Sequence, residues 1–393
     1  MQTPVLRKGV VALLVSASLL LSACSAEDGP AGGEDTSSPK ASAPSSSPAP
    51  ASPSADPPPA KGSVEVVKTL TDGLASPWGL AALPGGDLLV ASRDEATITR
   101  VDGESGRKTL LGSVPGVAPA GEGGLLGLAV APTYGADHLI YAYVTTESDN
   151  RIVRLQYDEK KPVGRQLGAP DTILRGIPKG SVHNGGRIAF GPDRMLYAGT
   201  GETGDTGLAQ DESSPAGKIL RMTPDGEPVH GNPEGDSLVY SYGHRNVQGL
   251  AWDSGKRLWA AEFGQDTWDE LNLIQPGENY GWPDAEGKEG QSGFVDPVAQ
   301  WKTSEASPSG IAYAGGSIWM AGLRGERLWR IPLSGKADGQ PSADPQAFLE
   351  GKYGRLRTVL AAGGDKLWLV TSNTDGRATP KSGDDRILLL KVR

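Results

Sequence analysis

Between Gly243 and Trp282 the chain reads GHRNVQGLAWDSGKRLWAAEFGQDTWDELNLIQPGENYGW, which gathers a cation, an amide, a backbone kink and several carboxylates. Arg245 and Asn246 stand just before the apolar run Gly249-Leu250-Ala251-Trp252. A strand-entry loop there turns their polar ends toward a cavity instead of the core. The second run, Leu258-Trp259-Ala260-Ala261, ends at Phe263-Gly264-Gln265, where the glycine lets the chain turn and leaves carbonyls without a sheet partner. With Asp266, Asp269 and Glu270 close behind, this region offers roughly five oxygens to a hard cation such as calcium, which takes about 6 to 8. The same residues also fit a solvated acidic hairpin loop.

His183, in Ser181-Val182-His183-Asn184-Gly185-Gly186-Arg187, leads into another apolar strand and so falls on the same rim as Arg245. A neutral imidazole there can act as a general base, although a loop histidine can equally be structural. His138, His230 and His244 read as structural; His244 neighbours Arg245, but adjacent side chains on an extended strand face opposite ways. Arg355 and Arg357, two apart on an extended segment, point alike and form a fork suited to carboxylates. Two arginines on a solvated strand face would look the same.

These residues need a scaffold that brings distant loops together, and an internal repeat supplies one. A short apolar strand, a Gly/Pro/Asp turn and a second strand recur six times, at roughly 48 to 62 residues. The copies begin at Trp78-Gly79-Leu80-Ala81, Leu126-Gly127-Leu128-Ala129, Arg187-Ile188-Ala189-Phe190, Gly249-Leu250-Ala251-Trp252, Gly310-Ile311-Ala312-Tyr313 and Thr358-Val359-Leu360-Ala361. A third strand is visible at Thr97–Val101, Arg151–Leu155, Lys218–Met222 and Arg327–Ile331, each alternating in polarity. The pattern predicts an all-β, six-bladed β-propeller of four-stranded antiparallel blades. Val64–Val67 and Ile387–Leu390 are expected to share one blade and close the ring.

Composition agrees: 55 glycines and 31 prolines in 393 residues are too many turn-formers for a helical bundle. A net charge of −9 without a long basic run argues against nucleic acid as a partner. The single cysteine, Cys24, excludes an intramolecular disulfide or a cysteine metal cluster. Arg7 and Lys8 precede an apolar run from Val10 to Leu21, and Leu21-Ser22-Ala23-Cys24 looks like a bacterial lipoprotein box. Residues 1–23 are therefore expected to be a leader, with Cys24 acylated and residues 24–61 a disordered Pro/Ser/Ala-rich tether. That arrangement would place the propeller, residues 62–393, outside the cytoplasm and join it to the membrane through lipid alone. A plain secretory leader with a chance cysteine is the other reading.

GHRN-x-QGL, then FG, then DELN-x-I-x-x-G-x-NYGWP, together with HNGGRIAFGPD, resembles the soluble pyrroloquinoline quinone (PQQ) dependent sugar dehydrogenases, the glucose/sorbosone dehydrogenase family. The resemblance implies a six-bladed propeller that oxidises an aldose to its lactone by hydride transfer from C1 to PQQ, passing electrons to an unidentified acceptor. It makes His183 the general base and Arg245, helped by Asn246, the group that stabilises charge on the quinone oxygen. Arg324, Arg355 and Arg357 would hold the PQQ carboxylates, and Glu122 would bind sugar hydroxyls. The carbonyls of Gly264 and Gln265 would hold the calcium that grips PQQ, while Glu270 and the Tyr280 carbonyl would hold a second, structural calcium. The chain departs from the family twice, with Gln265 where proline is usual and Val182 where glucose-specific members carry an aspartate. The second departure favours a broader aldose preference. A calcium-bound lactonase propeller and a non-catalytic, lipid-anchored binding propeller share the fold and are the competing readings.

Overall fold

Short, strongly apolar strands separated by tight turns leave the chain little choice but to stack twisted sheets. The computed structural model describes residues 58–393, so the expected leader, Cys24 and the tether up to residue 57 lie outside the described residues. Six four-stranded antiparallel sheets form the blades of a propeller. Blade A holds β2 (Pro77–Ala82), β3 (Leu88–Ser92), β4 (Thr97–Val101) and β5 (Lys108–Ser113); blade B holds β6 (Leu125–Val130), β7 (Leu139–Thr145), β8 (Asn150–Gln156) and β9 (Asp171–Ile177). Blade C holds β10 (Ile188–Phe190), β11 (Leu196–Gly199), β12 (Lys218–Met222) and β13 (Val239–Tyr242); blade D holds β14 (Val247–Trp252), β15 (Leu258–Glu262), β16 (Trp268–Ile274) and β17 (Ala299–Lys302). Blade E holds β18 (Pro308–Ala314), β19 (Ser317–Gly322), β20 (Arg327–Pro332) and β21 (Gln346–Phe348). Blade F holds β22 (Leu356–Ala361), β23 (Lys366–Thr371) and β24 (Ile387–Val392), and is completed by the chain's first strand, β1 (Val64–Thr71), in the order β1-β24-β23-β22.

That last pairing, Val64 with Val392 and Val66 with Leu390, closes the ring as the terminal runs suggested. It covers a sheet edge that would otherwise be open. Just before β1, the Gly62 amide donates to Gln346 Oε1 and the Pro59 carbonyl accepts from Arg330, so the approach to the first strand is pinned on blade E. Fully buried Trp259 and Trp319 and separate clusters of buried apolar side chains, rich in Leu, Ile, Val and Ala, fill the space between blades. Among the described residues no helix is long and apolar enough to cross a membrane.

The glycine in the repeated apolar strand has a steric cause. The first strands of successive blades lie side by side around the axis. A Cβ at Gly79 would sit 2.4 Å from the Leu126 carbonyl, at Gly127 2.2 Å from that of Gly186, at Gly249 2.4 Å from that of Ser309, and at Gly310 2.9 Å from the Thr358 Cα. Only a bare Cα allows that approach. The ladder between first and second strands is interrupted by a bulge at the same end of five blades, before Leu80, Leu128, Gly249, Ile311 and Thr358. Bulges bend a strand and re-aim its side chains, here into the mouth of the central channel.

Candidate active site

Loops that enter the first strand of a blade and loops that join its second strand to its third emerge at one end of the propeller. His183, Arg245, Glu122 and Arg355 lie on the former, Glu202, Phe263, Arg324 and Arg377 on the latter. The sequence places these residues up to 255 positions apart, and the ring brings them together, since Glu122 pairs with Arg377 across blades B and F.

His183 is fixed by three contacts. Its backbone N–H donates to Glu122 Oε2 at 2.9 Å, and its carbonyl accepts from Thr203 at 3.1 Å. Its ring Nδ1 lies 2.8 Å from Glu202 Oε1. Glu202 is buried, so its carboxylate keeps the proton on Nδ1 and leaves Nε2 as the accepting nitrogen. The backbone of His183 has φ of 52°, a left-handed conformation costly for a residue with a side chain and concentrated at functional sites. Gly201 makes it possible, because a Cβ there would fall 2.0 Å from the His183 carbonyl oxygen.

Arg245 and Asn246 meet this loop directly. Gly201 and Asn246 form a β-bridge, the Glu202 amide donates to the Arg245 carbonyl at 2.9 Å, and the Gly185 amide donates to Asn246 Oδ1 at 2.9 Å. Asn246 thus positions the histidine loop through its side-chain oxygen, and its buried Nδ2 has no partner among the described residues. The Arg245 guanidinium is buried over Trp282, 5.4 Å from the ring centre, with its Nε unpartnered among the described residues. Burial lowers its pKa, while Glu202, Glu286, Asp269 and Glu122 act in the opposite direction. It is a cation in reserve at the rim.

Arg355 and Arg357 do point alike, and they converge on one carboxylate oxygen, Asp375 Oδ2, at 3.0 and 3.3 Å. Burial alone would raise the Asp375 carboxyl, but Arg357 and Arg355 hold it below its ordinary range. Arg357 also donates to Gln248 Oε1 at 2.9 Å, and Arg93 reaches the Asp375 carbonyl at 3.1 Å. Arg93, Gln248, Arg355 and Arg357 line a central cavity with Trp78, Glu122, Phe263, Leu323 and Arg377. Arg324, exposed on the β19–β20 loop beside Leu323, makes no hydrogen bond or ion pair among the described residues. A larger surface groove lies at the opposite end, lined by Asp193, Tyr197, Trp252 and Lys256, and holds none of the site residues.

The two expected cation positions have distinct surroundings. The Gly264 amide donates to Asp269 Oδ1, and Glu286 Oε1 accepts from the amides of Gln265, Asp266, Thr267 and Trp268. Every donor of this loop is thereby turned inward, and no hydrogen bond reaches the Gly264 or Gln265 carbonyl oxygen among the described residues. Deeper, Glu262 and Glu270 face each other across β15 and β16, each 3.0 Å from Asn272 Nδ2. Burial, and then the neighbouring Glu262, pushes the Glu270 carboxyl well above its ordinary range. The Asn272 Oδ1 is buried without a partner, and no hydrogen bond reaches the Tyr280 carbonyl among the described residues. Two facing carboxylates beside an orphaned amide oxygen suit a divalent cation. Among the described residues no three His, Cys, Asp or Glu side chains gather into a metal site, so any cation here rests partly on carbonyl and amide oxygens.

His244, read as structural, is fully buried, with Nδ1 at 2.7 Å from Glu262, Nε2 at 2.8 Å from Ser241 and its ring stacked on Tyr280. Glu202, Asp375, Gln248, Trp78, Arg93 and Arg377 carry much of the site, and no chemical motif in the sequence points to them.

A family model described as "Glucose / Sorbosone dehydrogenase" matches residues 74–387. The structure resembles the PQQ-bound form of the aldose sugar dehydrogenase from Streptomyces coelicolor, with 76% sequence identity and a TM-score of 0.84 over 86% of this chain and 100% of that one. Quinoprotein glucose dehydrogenase B of Acinetobacter calcoaceticus is 30% identical over 285 residues, covering 63% of this chain and 59% of that protein. The aldose sugar dehydrogenase YliI of Escherichia coli strain K12 is 32% identical over 270 residues, covering 63% of this chain and 72% of its own. The match of the family model across all six blades, around a mouth that unites His183, Arg245 and the arginine fork, makes this chain a member of the glucose/sorbosone dehydrogenase family.

Proposed function

We propose that this chain is a PQQ- and calcium-dependent aldose dehydrogenase that converts the sugar to its lactone, with His183 as general base. One observation carries the reading: the His183 backbone is held by Glu122, which lines a cavity whose immediate groups have more cations than anions. Arg93, Arg187, Arg355, Arg357 and Arg377 line that cavity or bond to its lining, against Asp94, Asp375 and Glu122. That excess suits a small polycarboxylate. When bound, PQQ would supply the two-electron acceptor that takes the C1 hydrogen with its electron pair. Calcium on the Gly264 and Gln265 carbonyls would supply Lewis-acid polarisation, and a second ion would suit Glu270 and the Tyr280 carbonyl.

His183 Nε2 takes the proton of the anomeric hydroxyl, and Glu202 steadies the imidazolium that results. Arg245 provides positive charge at the rim where negative charge develops, and Asn246 keeps the histidine loop in register with it. Glu122 orients the His183 backbone with one oxygen and Arg377 with the other, which places it to meet sugar hydroxyls. Val182, beside His183, brings no carboxylate to the sugar, in keeping with a broad aldose preference.

The test is to titrate metal-free protein with PQQ and calcium while recording the quinone spectrum, then to follow dye reduction with a panel of aldoses. A spectral change at stoichiometric PQQ and turnover of several aldoses are expected, with turnover abolished by His183→Ala. An unchanged spectrum, or near-normal turnover of His183→Ala, overturns the reading. Hydrolysis of lactones without a spectral change would move it to a lactonase. Membrane attachment through Cys24 belongs to the same proposal; Cys24→Ser should move the protein from the membrane fraction to the soluble one.

A further inference from the structure

The steric rule of the repeat is broken at two blades. Register with the second strands aligns Leu80, Leu128, Ile188, Leu250, Ile311 and Val359. The residue before each is glycine in blades A, B, D and E, but Arg187 in blade C and Thr358 in blade F. The two exceptions bond to each other across the channel, Arg187 Nη2 donating to Thr358 Oγ1 at 3.1 Å. Arg187 Nε donates to the Gln248 carbonyl at 2.7 Å, and its guanidinium lies 4.4 Å from the Trp78 ring centre. Trp78 and Gln248 line the central cavity, so Arg187 sits directly beneath its floor.

At 7% exposure Arg187 is buried, and it forms no ion pair with any carboxylate among the described residues. Its charged neighbour is another cation, Arg357, which shares the Trp78 ring. Burial, and then Arg357, pushes the guanidinium down to about 9, so the surroundings disfavour its charge. Neutral oxygens offset a buried cation only in part, and an isolated one lowers the stability of the fold that holds it. Glycine at this position would serve ring packing, as it does in four other blades. The arginine therefore answers a need that the empty ring does not have.

We propose that Arg187 is a positioning residue for the acidic cofactor, an uncompensated charge beneath the cavity floor whose missing counter-ion is the carboxylated quinone. The inference rests on the proposed function, which places that quinone in the cavity. Asp375 neutralises part of the Arg355–Arg357 fork, and Arg187 adds to the remaining positive charge a buried cation that no carboxylate among the described residues offsets.

The test compares wild-type protein with Arg187→Met and Arg187→Lys. Melting of the cofactor-free proteins is measured first, then PQQ affinity by titration of the quinone spectrum at fixed calcium. Arg187→Met should melt at or above the wild-type temperature without cofactor, while binding PQQ at least about tenfold more weakly, equivalent to about 1.4 kcal/mol of lost attraction. Arg187→Lys, which keeps the charge, should bind within a few fold of wild type. Equal PQQ affinity in wild type and Arg187→Met overturns the inference. So does a markedly lower melting temperature for cofactor-free Arg187→Met, which would show the guanidinium serving the ring. Failure of wild-type protein to bind PQQ refutes instead the proposed function on which the inference stands.

Discussion

At the scale of single residues, the proposed chemistry depends most on the contact between His183 and Glu202. An imidazole can accept a proton at Nε2 only while Nδ1 keeps its own, and the buried Glu202 carboxylate at 2.8 Å enforces that state. Glu202→Gln leaves a hydrogen-bonding group of the same shape but removes the charge that stabilises the imidazolium. We expect kcat to fall by about 10²- to 10⁴-fold with KM changed little. Steady-state kinetics on the PQQ-loaded variant check this, and an equal loss through KM would show Glu202 acting on sugar binding. The placement of His183 and Arg245 at strand-entry loops on one rim was legible in the sequence because they sit in recognisable strings. The partners of the site residues were not, since Glu202 lies 19 residues from His183 and Asp375 20 from Arg355, separations that only blade geometry closes. Gln248 looked like one more strand residue, although its side chain receives Arg357 and its backbone receives Arg187.

Among the elements, the inner three strands of most blades were readable because apolar alternation and Gly/Pro turns repeat there. Outer strands such as β21, Gln346–Phe348, are short and half-buried, so their residues carry little pattern. The β11–β12 loop shows what such a reading misses. It presents Glu202, and its return limb is tied down by Lys218, a residue that looks like an ordinary exposed strand start. Instead the ammonium is buried and donates to the carbonyls of Leu208, Ala209 and Ala216 at 2.8, 3.0 and 2.8 Å. Burial lowers its pKa to about 8, so the loop holds this cation at a cost. Lys218→Met would strand three carbonyls, and we expect a loss of about 2 to 4 kcal/mol in stability. Because the same loop carries Glu202, kcat should drop as well, while the stability of the Glu202→Gln variant stays near wild type. Denaturant melts of both variants beside their kinetics separate the scaffold's contribution from the carboxylate's.

For the whole molecule, closure by β1 makes each blade a neighbour of two others, so a local cost is felt around the ring. One such cost lies at the seam of blades C and D, where Ser241, His244, Glu262, Asn272 and Glu270 form one buried chain of hydrogen bonds. Glu270 ionises near 4.5 ordinarily but higher in the folded chain, through burial and Glu262. Between those two values the unfolded chain has already released its proton, so metal-free stability falls as pH rises through the window. A calcium ion bound to the ionised pair, as proposed above, would offset that loss and couple the seam to the ring. At a concentration about 100 times its Kd it should add about 2.7 kcal/mol, on the order of 5 °C in Tm, and the gain should grow with pH across the window. Glu270→Gln removes one of the facing charges. The variant should therefore melt higher than metal-free wild type at pH 8 and show no calcium increment from this seam. Thermal melts with chelator and with calcium, at pH 6 and pH 8, decide it: a calcium increment that survives in Glu270→Gln places the stabilising ion elsewhere, while its loss makes the acid pair a metal-dependent joint between blades.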